Sequence, residues 1–324
     1  MNLNRRIIRP LLVAMMSPAL LTARSAAQEQ GLTRFHYAAI RMGVRVRLVL
    51  YAPDAKTAEG ACEAAFSRLA EVEHAASDYR STSELMHLCA QAGGAPVAVS
   101  DELFLILTRA RALSERSRGV FDVTVGPYVR LWRQARKEGQ LPPAAELERA
   151  RTRVGWEKVR LDPRAKTVQL LVPGMQLDLG GIAKGYGLDC AQATLREHGI
   201  TRALIEAGGD IVVSDGPPGK DGWRIEIANA KPNKRFVTLT NAAISSSGDI
   251  EQYVEIGGKR YSHIVDPRTG LGLTSRVAAT VIAPDGITSD SLATAACLLG
   301  KKRGMRLVRS VEGATAYIRR VRGG

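Results

Sequence analysis

The sequence predicts an α+β protein with much antiparallel sheet, and three observations carry that expectation. Helical and strand patterns are interspersed, without the regular strand–helix–strand alternation of a doubly wound parallel fold. Strand pairs joined by short turns dominate the second half of the chain. The 45% apolar content over 324 residues is ample for a sizeable core.

At the N-terminus, Asn4-Arg5-Arg6 precedes an apolar run from Ile7 to Leu21 that is broken by Pro10 and Pro18. Small residues follow at Ala23, Ser25 and Ala27, so residues 1–27 read as a signal peptide removed on export. Arg5-Arg6 leaves both the general and the twin-arginine routes open. No later segment approaches ~18 uninterrupted apolar residues, so no membrane span is expected in the mature chain. The formal net charge of +14 is spread along the chain, with no basic stripe interleaved with aromatics, which total only 5%. That pattern argues against nucleic acid and suits an anionic phosphate ligand. Cys62, Cys89, Cys190 and Cys297 are far apart with no C-x-x-C, and read as buried thiols rather than a disulfide framework.

Residues 28–37 read as a leader, and 38–324 as one domain. Apolar residues alternate at Met42, Val44, Val46, Leu48 and Leu50, the mark of a half-buried strand. A helix from about Lys56 to Ala76 places Cys62, Phe66, Leu69 and Val72 on one face. Ser77 to Ser81 is a polar break, Ser83 can cap a short helix through Leu88, and Asp101 opens another that Gly119 closes. The charged stretch from Arg133 to Arg153, with Pro142-Pro143, reads as an exposed excursion rather than a domain linker. Strands return at 158–161 and 166–172, and again at 223–228, 235–239, 243–246, 259–266 and 277–283. A helix from Ser289 and a last strand within 311–321 complete the chain.

Between these halves lies the stretch 177–211. Leu177 and Leu179 flank Asp178 in a short strand, Gly180-Gly181 turns it, and a helix follows with Gly199 as its C-cap. A strand from Arg202 to Glu206 ends in the turn Gly208-Gly209-Asp210. Such a scaffold can aim backbone N–H groups at an anion, although neither standard nucleotide fingerprint is present.

Four further segments can carry chemistry. Asp290 and Thr294 are four residues apart, so they share a helix face and offer two hard oxygen donors suited to Mg²⁺. Asp290 or Ser289 can equally be a plain helix cap. His263, in YSHIVDPRTG, leads into an Asp-Pro turn and can be a general base or a structural histidine. Ser245-Ser246-Ser247-Gly248-Asp249 reads as a polar turn able to hold phosphate, and Tyr79 in its polar loop can stack on a planar ring.

Taken together, LDLGGIAKGYGLD, IEAGGDI, ISSSGD, SHIVDPRTG, SDSLATAACLLG, DYRSTSEL and GVFDVTVGPYVRLW resemble the ordered motif set of the ApbE-like FAD:protein FMN transferases, over about residues 38–320. The resemblance implies an α+β fold of the T-fold-like kind and an exported enzyme, periplasmic or at the outer face of the cytoplasmic membrane. It implies FAD and Mg²⁺, and transfer of FMN to a threonine or serine of an acceptor, typically a subunit of a membrane redox complex, with release of AMP. It further implies metal ligation by Asp290, Thr294 and the Gly181 carbonyl; FAD contacts from Met42, Tyr79, Val120, Phe121, Asp122, Asp178, Lys184 and Val265; and His263 as catalytic residue. Gly181 stands where many members have Ala or Thr, and Ala293 where some have a further metal carboxylate. The same site fed with water would be an FAD pyrophosphatase, and without chemistry a periplasmic flavin-binding protein.

Overall fold

A computed structural model describes residues 31–227, 230, 235–248 and 253–320. The expected signal peptide, the first part of the leader and Asp249 lie outside the described residues. The centre is one seven-stranded sheet: β1 (Thr33–Arg41), β2 (Val44–Ala52), β3 (Ala203–Ala207), β4 (Asp210–Val213), β5 (Ala242–Gly248), β6 (Val277–Ala283) and β7 (Thr315–Arg320). The strands lie side by side in chain order and every neighbouring pair is antiparallel. The expected α+β class with antiparallel sheet is what the chain adopts.

Seven helices fill the connections among the described residues: α1 (Ala55–Ala76), α2 (Glu84–Ala90), α3 (Asp101–Ser117), α4 (Gly126–Glu138), α5 (Ala144–Arg151), α6 (Ala183–Glu197) and α7 (Gly286–Arg309). Val46, Leu48 and Leu50 of β2 alternate inward and pack with Leu69 of α1 and Leu188 of α6. Each such side chain contributes roughly 1.5–3 kcal/mol relative to exposure. A second cluster joins α3 and α7 to Ala279 and Val281 of β6. The neighbouring residues Ile244 and Ile282 point to the opposite face, where the hairpin of Trp223–Glu226 and Phe236–Leu239 covers them. The central strands β5 and β6 are therefore covered on both faces there, while the edge strand β1 has no buried residue.

Several boundaries differ from the sequence reading. Much of the leader is strand: β1 pairs with β2 from Thr33↔Ala52 to Arg41↔Val44. Met42 is not in the strand but in its two-residue turn with Gly43, both at positive φ (52° and 72°), a turn whose twist suits a tight hairpin. Leu177 and Leu179 are buried yet belong to no strand, because Asp178 N–H donates instead to the Val123 carbonyl at 2.8 Å. The serines 245–247 lie within β5, not in a turn. The charged stretch after Leu131 forms the end of α4 and all of α5, with Trp132, Ala135 and Ala150 buried. Its charge masked a narrow apolar stripe.

Candidate functional site

The seven motif segments meet at one cleft of about 1080 Å³. Sites for small molecules usually measure ~300–1,000 Å³, so this one is large enough for a dinucleotide. Its walls come from the β1–β2 turn, the end of α1, α4, the Gly180-Gly181 turn, the β3–β4 turn, β5, the loop after residue 262 and α7.

At the buried end stands α7. Its N-cap is Asp285, whose carboxylate accepts from Thr288 N–H at 2.9 Å. Asp290 is therefore no cap, and Thr294 lies one turn further along. Asp290 Oδ2 reaches across to α6 and accepts from Gly185 N–H at 3.0 Å. The two helices cross in backbone contact there: a Cβ on Gly185 would lie 2.1 Å from the Gly286 carbonyl oxygen. Only glycine allows that approach. Burial, then the nearby Asp210 charge, pushes the Asp290 carboxyl above the usual carboxylate range.

Lys184, in the first turn of α6, holds its ammonium 3.0 Å from Asp210 and 3.7 Å from Asp290. These two acids hold the lysine pKa above its ordinary value against the opposing effect of burial. Asp210 Oδ2, although ion-paired, is buried without a hydrogen bond of good geometry. Gly181 lies against Thr294, whose hydroxyl would stand 3.2 Å from a Cβ at that position. Ser247 Oγ is 3.4 Å from the same hydroxyl. One lysine thus faces two buried carboxylates in a pocket lined with hydroxyl and carbonyl oxygens.

At the outer end, Ser77 ends α1 and its Oγ accepts from the N–H groups of Tyr79 and Arg80, while Ser83 starts α2. This short serine-built loop presents Tyr79, which is 78% exposed. Arg133 of α4 stacks on the Tyr79 ring, with Cζ 4.0 Å from the centroid. The same guanidinium pairs with Asp78 at 2.6 Å and Asp178 at 3.3 Å. Asp178 also accepts from Gly180 N–H at 2.8 Å, which fixes the glycine turn. Burial and the Asp78 charge hold the Asp178 carboxyl above its ordinary range.

Met42, Phe121, Asp122, His263 and Val265 also line the cleft. The strained Met42 backbone is fixed by donation of its N–H to Glu73 at 3.0 Å. Asp122 is engaged by Thr124 and by Trp156 N–H, so its carboxylate holds the segment's fold. His263 is half-buried just past the strand Lys259–Ser262, and Val265 packs in the cluster around Trp132. Val120 is buried in the core behind Phe121 rather than on the wall. Among the charged wall residues that escape a reading by sequence, Asp78, Arg133 and Asp210 make ion pairs on the wall. Arg133 hides in the charged stretch and Asp210 in a glycine turn; only the IEAGGDI motif itself hinted at the latter.

A family model described as "ApbE family" matches residues 42–318. An FAD:protein FMN transferase of Treponema pallidum is 33% identical over 290 residues, covering 84% of this chain and 80% of that protein. One from Vibrio cholerae is 36% identical over 249 residues, covering 73% and 72%. Among solved structures, the apo form of the Pseudomonas stutzeri flavinyl transferase ApbE superposes with a TM-score of 0.80 at 28% identity, covering 90% of this chain and 92% of that one. The Vibrio cholerae flavin transferase ApbE gives 0.76 at 30% identity, covering 89% and 97%. With the fold, the motif order and the cleft all in agreement, the chain belongs to the ApbE family.

Proposed function

We propose that this protein is an FAD:protein FMN transferase that uses Mg²⁺, acts on an exported acceptor and releases AMP. The observation that carries the reading is the convergence of all seven motif segments on one cleft with a ring-stacking end and an oxygen-rich end. FAD has the same two-ended character, a flat ring system joined to a pyrophosphate.

The oxygen-rich end fits Mg²⁺. Two buried carboxylates share a single ammonium there, so a divalent cation is electrostatically favoured. The Asp290 carboxylate, the Thr294 hydroxyl and the Gly181 carbonyl are the hard oxygens to hold it. Among the described residues, no group of three or more His, Cys, Asp or Glu side chains can enclose a metal. Mg²⁺ needs none, since it keeps waters and substrate phosphate oxygens around few protein ligands. When bound, it neutralises charge on the pyrophosphate oxygens.

The residues of the chain do the rest. Tyr79 stacks the isoalloxazine ring, Asp178 and Lys184 orient the FAD, and Lys184 adds positive charge near the pyrophosphate. The acceptor hydroxyl oxygen attacks the phosphorus on the FMN side, the pyrophosphate P–O bond breaks, and AMP leaves with the bond electrons. His263 takes the hydroxyl proton. Positioning and charge neutralisation supply most of the rate in such a phosphoryl transfer. Water in the acceptor's place gives FMN and AMP instead. The signal-like segment 1–27 supports an exported acceptor, such as a subunit of a membrane redox complex.

The deciding experiment mixes purified protein, FAD, Mg²⁺ and a threonine-bearing acceptor. A covalently fluorescent acceptor band on a denaturing gel, with equimolar AMP, is the expected result. FMN and AMP without a labelled band would make it a pyrophosphatase; intact FAD after prolonged incubation would make it a flavin-binding protein.

A further inference from the structure

The outer end of the cleft contains an arrangement that the reaction scheme above does not use. Tyr79 sits on a short loop and is 78% exposed, so its own packing does little to fix the ring. An exposed aromatic on a loop is a poor stacking platform, because binding must first order it. Here the ring has a backing. The Arg133 guanidinium lies over one face with Cζ 4.0 Å from the centroid. It comes from α4, a separate element of 13 residues whose Trp132 is buried beside it.

The guanidinium is itself anchored at one nitrogen, Nη2, by two segments of the chain. It pairs with Asp78, next to the tyrosine in sequence, and with Asp178, at the start of the glycine turn. Both carboxylate side chains are mostly buried, at 16% and 15% exposure, against 33% for Arg133. A planar cation with its face on a ring and one nitrogen shared by two carboxylates from different segments has little rotational freedom. With one face of Tyr79 against it, the opposite face is the one left for a ligand ring.

We infer that Arg133 is a positioning residue: it backs the Tyr79 ring and ties that ring to Asp178, so the flavin-stacking surface is set before FAD arrives. This inference rests on the transferase reading, because it presumes that Tyr79 stacks on flavin. Arg133 acts through the tyrosine and need not touch substrate.

A double-mutant cycle tests it. FAD affinity and bound-flavin fluorescence are measured for the parent, Tyr79→Ala, Arg133→Met and the double variant, with Arg133→Lys alongside. Stacking on tyrosine quenches flavin emission, so fluorescence reports the ring contact directly. Arg133→Met is expected to weaken FAD binding about tenfold in the parent background but less than about twofold once Tyr79 is gone, because contacting pairs couple. Arg133→Lys keeps the charge between Asp78 and Asp178 but lacks a planar face. It should match the parent in thermal midpoint and match Arg133→Met in dequenched flavin emission.

Equal losses in both backgrounds would overturn the inference, since Arg133 would then act on charge or fold independently of the ring. So would Arg133→Lys emission as quenched as the parent's. A parent protein that binds no FAD would overturn the transferase reading, and this inference with it. A parent that binds FAD while the cycle stays additive overturns only the role of Arg133.

Discussion

The two ends of the cleft are built by opposite means. At the buried end, Asp290, Lys184 and Asp210 stand on two helices and a strand, and backbone contact at Gly185 and Gly286 fixes their spacing. At the outer end, Tyr79 stands on a loop and is located by a cation that reaches over from α4. The first arrangement tolerates no added atom, and carboxylates of Asp189 and Asp290 tie the two helices together across the contact. The second is exposed to solvent and depends on one guanidinium. A substrate with a charged middle and a flat end meets rigidity where charge must be placed within tenths of an ångström. It meets a ring held by a single side-chain cation where surface area is what counts.

Substitutions can break or sharpen that contrast. The largest effect is expected at His263, half-buried on the cleft wall. His263→Ala is expected to slow FMN transfer by roughly 10²–10⁴-fold while FAD and Mg²⁺ affinities stay near the parent values. Single-turnover kinetics beside equilibrium titration decide it, and a parallel loss of binding would reassign His263 as a ligand-positioning group.

Next comes the buried end. Gly185→Ala places a methyl 2.1 Å from a carbonyl oxygen, so α6 and α7 must separate. A cost of about 3 kcal/mol or more is expected, read as a lowered thermal midpoint and loss of Mg²⁺-dependent stabilisation. An unchanged midpoint would show that the crossing is looser than the structure has it.

Asp290→Asn is subtler. The amide oxygen can still accept from Gly185 N–H, and a desolvated charge is removed, so the fold should hold or gain stability. The Mg²⁺ concentration for half-maximal turnover should nevertheless rise at least about tenfold, since the anionic ligand is lost. Thr294→Val should act in the same direction at nearly constant volume. If it titrates with Mg²⁺ like the parent, the metal lies elsewhere. The smallest effect is expected at the outer end. Tyr79→Ala should weaken FAD binding by about 1–2 kcal/mol without moving the thermal midpoint, as measured by calorimetry.

The same contrast explains what the sequence disclosed. Asp290 and Thr294 are legible because a helix fixes the relation between residues four apart. The antiparallel sheet is legible from alternation, as at Val46, Leu48 and Leu50. Asp290 and Ser289 were cap candidates because the sequence reading starts the helix at Ser289, whereas it begins at Gly286 and Asp285 caps it through Thr288 N–H. Arg133 was illegible for a deeper reason. Its partners Asp78, Tyr79 and Asp178 belong to segments remote in the chain, and no local period links an arginine in a charged stretch to them. Asp210 was read as a turn residue, since its pairing with Lys184 depends on how β4 sits beside α6. Met42 broke its own alternating pattern because a hairpin turn needs positive φ there.

The Gly185–Gly286 contact also decides where the molecule can breathe. Two helices whose main chains touch cannot slide past one another by a fraction of an ångström without a clash, so α6 and α7 move as one body on the timescale of catalysis. Asp189 of α6 reinforces the junction, because its carboxylate accepts from the Gly286 and Ile287 N–H groups at the start of α7. The oxygen-rich floor of the cleft therefore keeps its spacing whatever the rim does.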